Sequence, residues 1–125
     1  MKSITWATEP KDTNYPAALS YLSLIFPELA AVKYVDALRE ADIEEYKVKD
    51  ILRASGLPQL PKDNYHVQKN FFKIDTGHKI SPILLVRDTD HRKVIIADGY
   101  HRVCAIHYYD EDADIHCKLI SAHYV

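Results

Sequence analysis

The chain has 125 residues, enough for one compact domain with a real hydrophobic core. Sixteen Lys and Arg stand against eighteen Asp and Glu, a net charge of −2 spread without a basic tail or stripe, which argues against a stand-alone non-specific DNA binder. No apolar run approaches the ~20 residues of a membrane span, Met1 to Trp6 hold no signal-peptide core, and Cys104 and Cys117 form no Cys-x-x-Cys pair, so a reducing cytoplasm with both thiols free is expected.

The first third of the chain reads as helical. Pro16 suits a first helical turn, with Thr13 or Asn14 as the cap. Leu19, Leu22 and Phe26 then share a face, and Pro27 ends or kinks the segment. A second helix is predicted from Glu28 to Ala41, with Leu29, Val32, Val35 and Leu38 inward and Lys33, Asp36, Arg39 and Glu40 outward. From Ile43 the pattern is mixed. Glu45 to Val48 reads as a short strand, and Asp50 to Ala54 as a helical turn stopped at Ser55-Gly56. The Leu57-Pro58-Gln59-Leu60-Pro61 stretch must be extended or turning. Asp63 or Asn64 can cap a helix from Tyr65 to Asp75, closed by Gly77. After Pro82, Ile83 to Val86 is a continuous apolar run, as in a strand buried on both faces. Asp88 to His91 is turn chemistry before a strand from Lys93 to Ala97. A helix follows to Tyr109, then the acidic loop Asp110-Glu111-Asp112. In the last strand Ile115, Cys117 and Leu119 alternate with His116, Lys118 and Ile120, predicting one buried face. The order is that of an α+β fold with a small mixed sheet and packed helices. Residues 1–42 form an N-terminal helical extension, and residues 43–125 the α+β domain, in one compact unit.

The most informative stretch is Ile96-Ala97-Asp98-Gly99-Tyr100-His101-Arg102. A strand ends at Asp-Gly, and a helix begins with a histidine and an arginine in its first turn. Helix N-termini carry unpaired N–H groups and partial positive charge, so they attract anions. Gly99 would let the backbone approach a ligand, and Arg102 can clamp a phosphate or carboxylate bidentately. The plainer alternative is a strand-to-helix turn with a surface arginine. Asp98 is the candidate general base or metal ligand; its other reading is a helix cap or turn former. His101, Cys104 and His107 recur every three residues, but His101 and His107 lie ~120° apart on a helix, so no zinc site is expected.

Residues 45–121 resemble the ParB/sulfiredoxin-like superfamily. The resemblance rests on Pro82-Ile83-Leu84-Leu85-Val86, Val94-Ile95-Ile96-Ala97, Asp98-Gly99-Tyr100-His101-Arg102 and Ile115 to Ile120, with Val48 to Leu52 and Tyr65 to Ile74 in the matching order. The whole chain also resembles a bacterial group labelled ParB-like. The resemblance implies the family's fold and a nucleotide-binding cleft, taking ATP or CTP, in which Gly99, Tyr100, His101 and Arg102 meet the phosphates. It also implies phosphate contacts from the 65–74 helix, here His66, Lys69 and Lys73, against the alternative of a merely solvated charged face. Tyr100 stands where sulfiredoxins have their cysteine, so sulfur chemistry is not expected. The helix-turn-helix that follows in ParB proteins is not found before Val125. The expected function is therefore a nucleotide- or phosphate-ligand-binding domain, with Mg²⁺-dependent phosphoryl transfer or nucleotide hydrolysis as the enzymatic possibility and Asp98 as its acid/base or metal-binding group. A non-catalytic interaction or DNA-partition accessory module, with a protein partner, is the alternative. A ParB-like nuclease is the second alternative.

Overall fold

The computed structural model describes residues 3–122; the expected limits 1–42 and 43–125 thus include residues 1, 2 and 123–125, which lie outside it. In chain order the described elements are β1 (Thr5–Trp6), α1 (Asn14–Ile25), α2 (Glu28–Glu40), β2 (Glu44–Lys47), α3 (Val48–Ser55), α4 (Tyr65–Asp75), β3 (Lys79–Ile80), β4 (Ile83–Asp88), β5 (Lys93–Asp98), α5 (Tyr100–Tyr109) and β6 (Asp114–Ser121). The architecture is α+β around a four-stranded mixed sheet ordered β2-β6-β4-β5. β4 runs parallel to β6 and antiparallel to β5, and β2 runs antiparallel to β6. A second, two-stranded pairing joins β1 to β3 in parallel. That pairing had no signal in the sequence, because two-residue strands carry no periodicity.

Helices cover both faces of the sheet. On one face Ala18 and Leu22 of α1 and Ala31, Val35 and Leu38 of α2 pack on Leu84, Val86, Ile95 and Ala97. On the other, Val48 and Ile51 of α3 and Val103 and Ile106 of α5 pack on Ile83, Leu85, Ile96, Ile115 and Cys117. α4 lies against α5 through Val67, Cys104 and Ala105, and its Ile74 joins the core on this face of the sheet. The four consecutive residues Val103 to Ile106 are therefore all buried. The two halves of the chain share one core: without α1 and α2, half of the sheet's apolar surface would face water.

Several expectations change here. Pro16 does lie in the first turn of α1, as the third residue of a helix that begins at Asn14, where no intrahelical N–H is required. Thr13 occupies the N-cap position without a capping side-chain bond. In α2, Leu29 and Val32 are exposed, Leu29 by 81%, and Ala31 and Tyr34 are buried with Val35 and Leu38. A strict spacing of three cannot hold one helical face: Leu29 and Leu38 are nine residues apart, roughly 180° at ~100° per residue. Lys118, expected on a polar face of β6, is 1% exposed. β6 is an inner strand with helices on both faces, so neither set of its side chains meets solvent freely. The Lys118 ammonium is satisfied by the Arg39 carbonyl at 2.9 Å and Glu9 at 3.2 Å, and it lies 5.7 Å from the centre of the Tyr15 ring.

Candidate functional site

Four elements and one connecting turn converge on a cleft of about 200 Å³ lined by Asn14, His66, Asn70, Lys73, Asp98, Gly99, His101 and Arg102. β5 delivers Asp98 at its end. The pairing of β5 with β4 skips a residue there, since Leu84 pairs with Asp98 but Leu85 with Ile96, leaving Ala97 as an extra residue. Such irregularities re-aim the side chains next to them.

Gly99 follows as the N-cap of α5, with φ +118°. Its lack of a side chain serves packing rather than close approach of a ligand. A Cβ there would lie 2.8 Å from the Arg102 Nη2 and the Ile83 Cβ, and closer still to the Ile83 Cγ2. Asp98 does not cap α5, which has no side-chain capping bond. Its carboxylate instead accepts from the Arg102 Nη2 at 2.7 Å, with the two side chains only 15% (Arg102) and 22% (Asp98) exposed. The Arg102 Nε is buried with no hydrogen-bond partner. A guanidinium has five donors, and an unpaired buried one is costly, so Arg102 is short of acceptors.

α4 provides the facing wall. Asn64 caps it: its Oδ1 accepts from the backbone N–H groups of His66 at 3.0 Å and Val67 at 3.2 Å. The first turn of α4 is thereby held where His66 reaches the cleft, its ring centroid 4.8 Å from that of His101. Lys73, two turns on, lines the same wall. Burial, and then the positive charges of Lys11, Lys69 and Arg102, hold the Lys73 ammonium below its ordinary pKa. Burial, His66 and Arg102 do the same to the His101 imidazolium. The cleft thus gathers two cations, Lys73 and Arg102, and two imidazoles, His66 and His101, around a single carboxylate, which Arg102 already holds.

Asp98, Gly99, His101, Arg102, His66 and Lys73 therefore share one cleft. Tyr100 and Lys69 do not line it. The Tyr100 ring packs toward both α4 and the sheet, and its hydroxyl donates to the Pro58 carbonyl. Lys69 lies over the Tyr65 ring at 5.4 Å and lines a neighbouring hollow of about 440 Å³ with Tyr65, Gln68, Phe72, Lys73 and His78. Asn70 takes the place expected for Lys69. From His66, Asn70 lies ~40° and Lys73 ~20° around the helix, whereas Lys69 lies ~60° away on the outer flank. Sequence reading also missed Asn14. Its amide donates to the buried Ser81 hydroxyl, which also accepts from the Lys11 backbone N–H at 3.0 Å. The N-terminal segment is thereby pinned against the cleft by a contact between residues 67 apart in sequence.

The cysteines are free and buried. Burial and Glu44 push the Cys117 thiol up to about 12, and burial pushes Cys104 up, so neither is a thiolate nucleophile at neutral pH. Among the described residues no three His, Cys, Asp or Glu come together as a metal nest, and no helix is long and apolar enough to cross a membrane. Comparison with protein-family models, with curated proteins and with solved structures gives no significant match.

Proposed function

We propose that the chain is a phosphate-ligand-binding domain of the ParB/sulfiredoxin-like type, holding the phosphates of a nucleotide, ATP or CTP, at the start of α5. The observation that carries this reading is the unbalanced cluster of Arg102, Lys73, His66 and His101, in which Arg102 retains a buried donor without an acceptor. A phosphate would offset the burial and the repulsion that lower Lys73 and His101 and would meet the uncapped N–H groups of α5. The cleft, about 200 Å³, suits a phosphate group rather than an enclosed nucleoside. The hollow beside it shares Lys73 and exposes Tyr65 and Phe72, so the base would lie on that aromatic shelf. Lys69, on the outer flank, then sits with the base rather than the phosphates.

A protein-held Mg²⁺ does not fit this cleft, whose one carboxylate is committed to Arg102. The same commitment removes Asp98 as a free general base, and the activity proposed is binding. Calorimetric titration of phosphate, pyrophosphate, ATP and CTP, each with and without Mg²⁺, tests it. Binding of the nucleotides and of pyrophosphate is expected. Arg102→Ala should weaken all of them by about 1.5–3 kcal/mol, and Phe72→Ala should weaken the nucleotides alone. Absence of binding by the wild-type chain at millimolar ligand would refute the reading.

A further inference from the structure

The sheet has a second feature away from the cleft. β5 is an edge strand, and among the described residues the backbone of 93–98 makes hydrogen bonds only to β4. Edge strands are normally covered, shortened or blunted, because their unpaired N–H and C=O groups recruit other strands. Here the edge opens into a hollow of about 430 Å³ that Val94, Ile95 and Ile96 share with both neighbouring helices. Its α1 wall is Tyr21 and Ile25, and its α3 wall is Ser55, the last residue of the helix, and Leu57 just past it. These walls lie on opposite faces of the sheet, since Ile95 packs with α1 and Ile96 with α3. The hollow is therefore a slot, with a strand edge as its floor and a wall above and below. Three of its large apolar side chains stay exposed, Tyr21 by 42%, Ile25 by 46% and Leu57 by 38%.

Charge marks one end of the slot. Lys93 and Arg92 are exposed at the start of β5, and neither is ion-paired among the described residues. Arg92 is held at φ 54° in the turn, and both residues line a hollow that continues from the slot. The nearby Asp88 carboxylate is engaged by His91 at 2.9 Å, and Asp90 lines neither hollow.

We propose that this slot binds an extended peptide of a partner protein, which adds a fifth strand beside β5. The peptide carries large apolar residues facing Tyr21 and Ile25, smaller ones facing Ser55 and Leu57, and a carboxylate at the Lys93 end. Backbone pairing supplies the affinity, and the alternating walls and the basic end supply the selectivity. This inference is independent of the phosphate cleft.

The test selects binders from a random octapeptide library on the full chain and measures the best peptide by fluorescence anisotropy. A large–small alternation ending in Asp or Glu is the expected consensus. N-methylation of one alternating set of peptide amides should weaken binding more than tenfold, while the other set tolerates it, because only one edge of an added strand faces β5. Lys93→Glu should weaken the acidic peptide about tenfold, and a peptide with lysine in place of the acid should recover on that variant. The proposal is overturned by a library that yields no binder, by equal tolerance of both methylated sets, by indifference to Lys93→Glu, or by sedimentation showing a second copy filling the slot.

Discussion

Gly99 shows how little freedom one residue at the cleft has. Its φ of +118° disfavours any side chain, and the space a Cβ would need belongs to Ile83 and Arg102. Gly99→Ala should cost about 2–4 kcal/mol, combining backbone strain with overpacking, as a lower midpoint in urea unfolding. Phosphate affinity should fall with it, since the Arg102 guanidinium is displaced along with Ile83. His101 gives a reading that mutation does not. Burial, His66 and Arg102 lower its pKa in the folded chain. The unfolded chain therefore binds that proton more readily between the lowered value and the ordinary ~6.5. Through that window His101's contribution to stability rises with pH, is complete above it, and is lost as the pH falls. A bound phosphate acts the other way by favouring the imidazolium. NMR titration should show His101 below the free imidazole value in the ligand-free chain and shifted upward with phosphate. An unchanged value would argue against phosphate contact with this ring.

At the scale of elements, sequence reading succeeded where a local signal and tertiary context agreed. α4 runs from Tyr65 to Asp75 as expected, because Asn64 caps it and Gly77 follows in a left-handed conformation. β4 is buried along its apolar run because it is an inner strand with helices on both faces. Failure came where side-chain type and angular position conflicted. Leu29 and Val32 look like core residues, but Ala31, Tyr34, Val35 and Leu38 define the buried face of α2. Lys118 was placed by alternation on the open face of β6, and only the satisfaction of its ammonium by Arg39 and Glu9, far away in sequence, permits its burial. The α4 cap offers a direct test. Asn64→Ala should cost about 1 kcal/mol and should weaken phosphate binding more than a comparably destabilising surface mutation, since the first turn it releases carries His66. Equal losses in the two variants would mean that His66 does not contribute.

For the whole molecule, the question is how the N-terminal helices relate to the sheet. Tyr15, Ala18, Leu22, Ala31, Val35 and Leu38 share a core with Leu84, Val86, Ile95 and Ala97. Removing residues 3–42 would strip one face of the sheet and take Asn14 from the cleft. The shortened chain should lose its cooperative thermal transition and bind an apolar dye; a sharp melt would show that the remainder folds alone. The sequence made the helices visible but not their place in the site. Asn14 meets Ser81 across 67 residues, and no local pattern encodes such a contact.

The position of β6 has a consequence for synthesis. Glu44 of β2 pairs with Cys117, 73 residues later, and β6 also separates β2 from β4. A ribosome emits the chain from its N-terminus, so β2 and the β4–β5 hairpin wait with open edges until residues 114–121 emerge. Stable structure must then form after, not during, translation of most of the chain. Pairing over such separations slows folding and lengthens the exposure of apolar strands. A chain ending at residue 113 should remain unfolded and protease-sensitive, and stalled nascent chains should become protected only once β6 has cleared the exit tunnel.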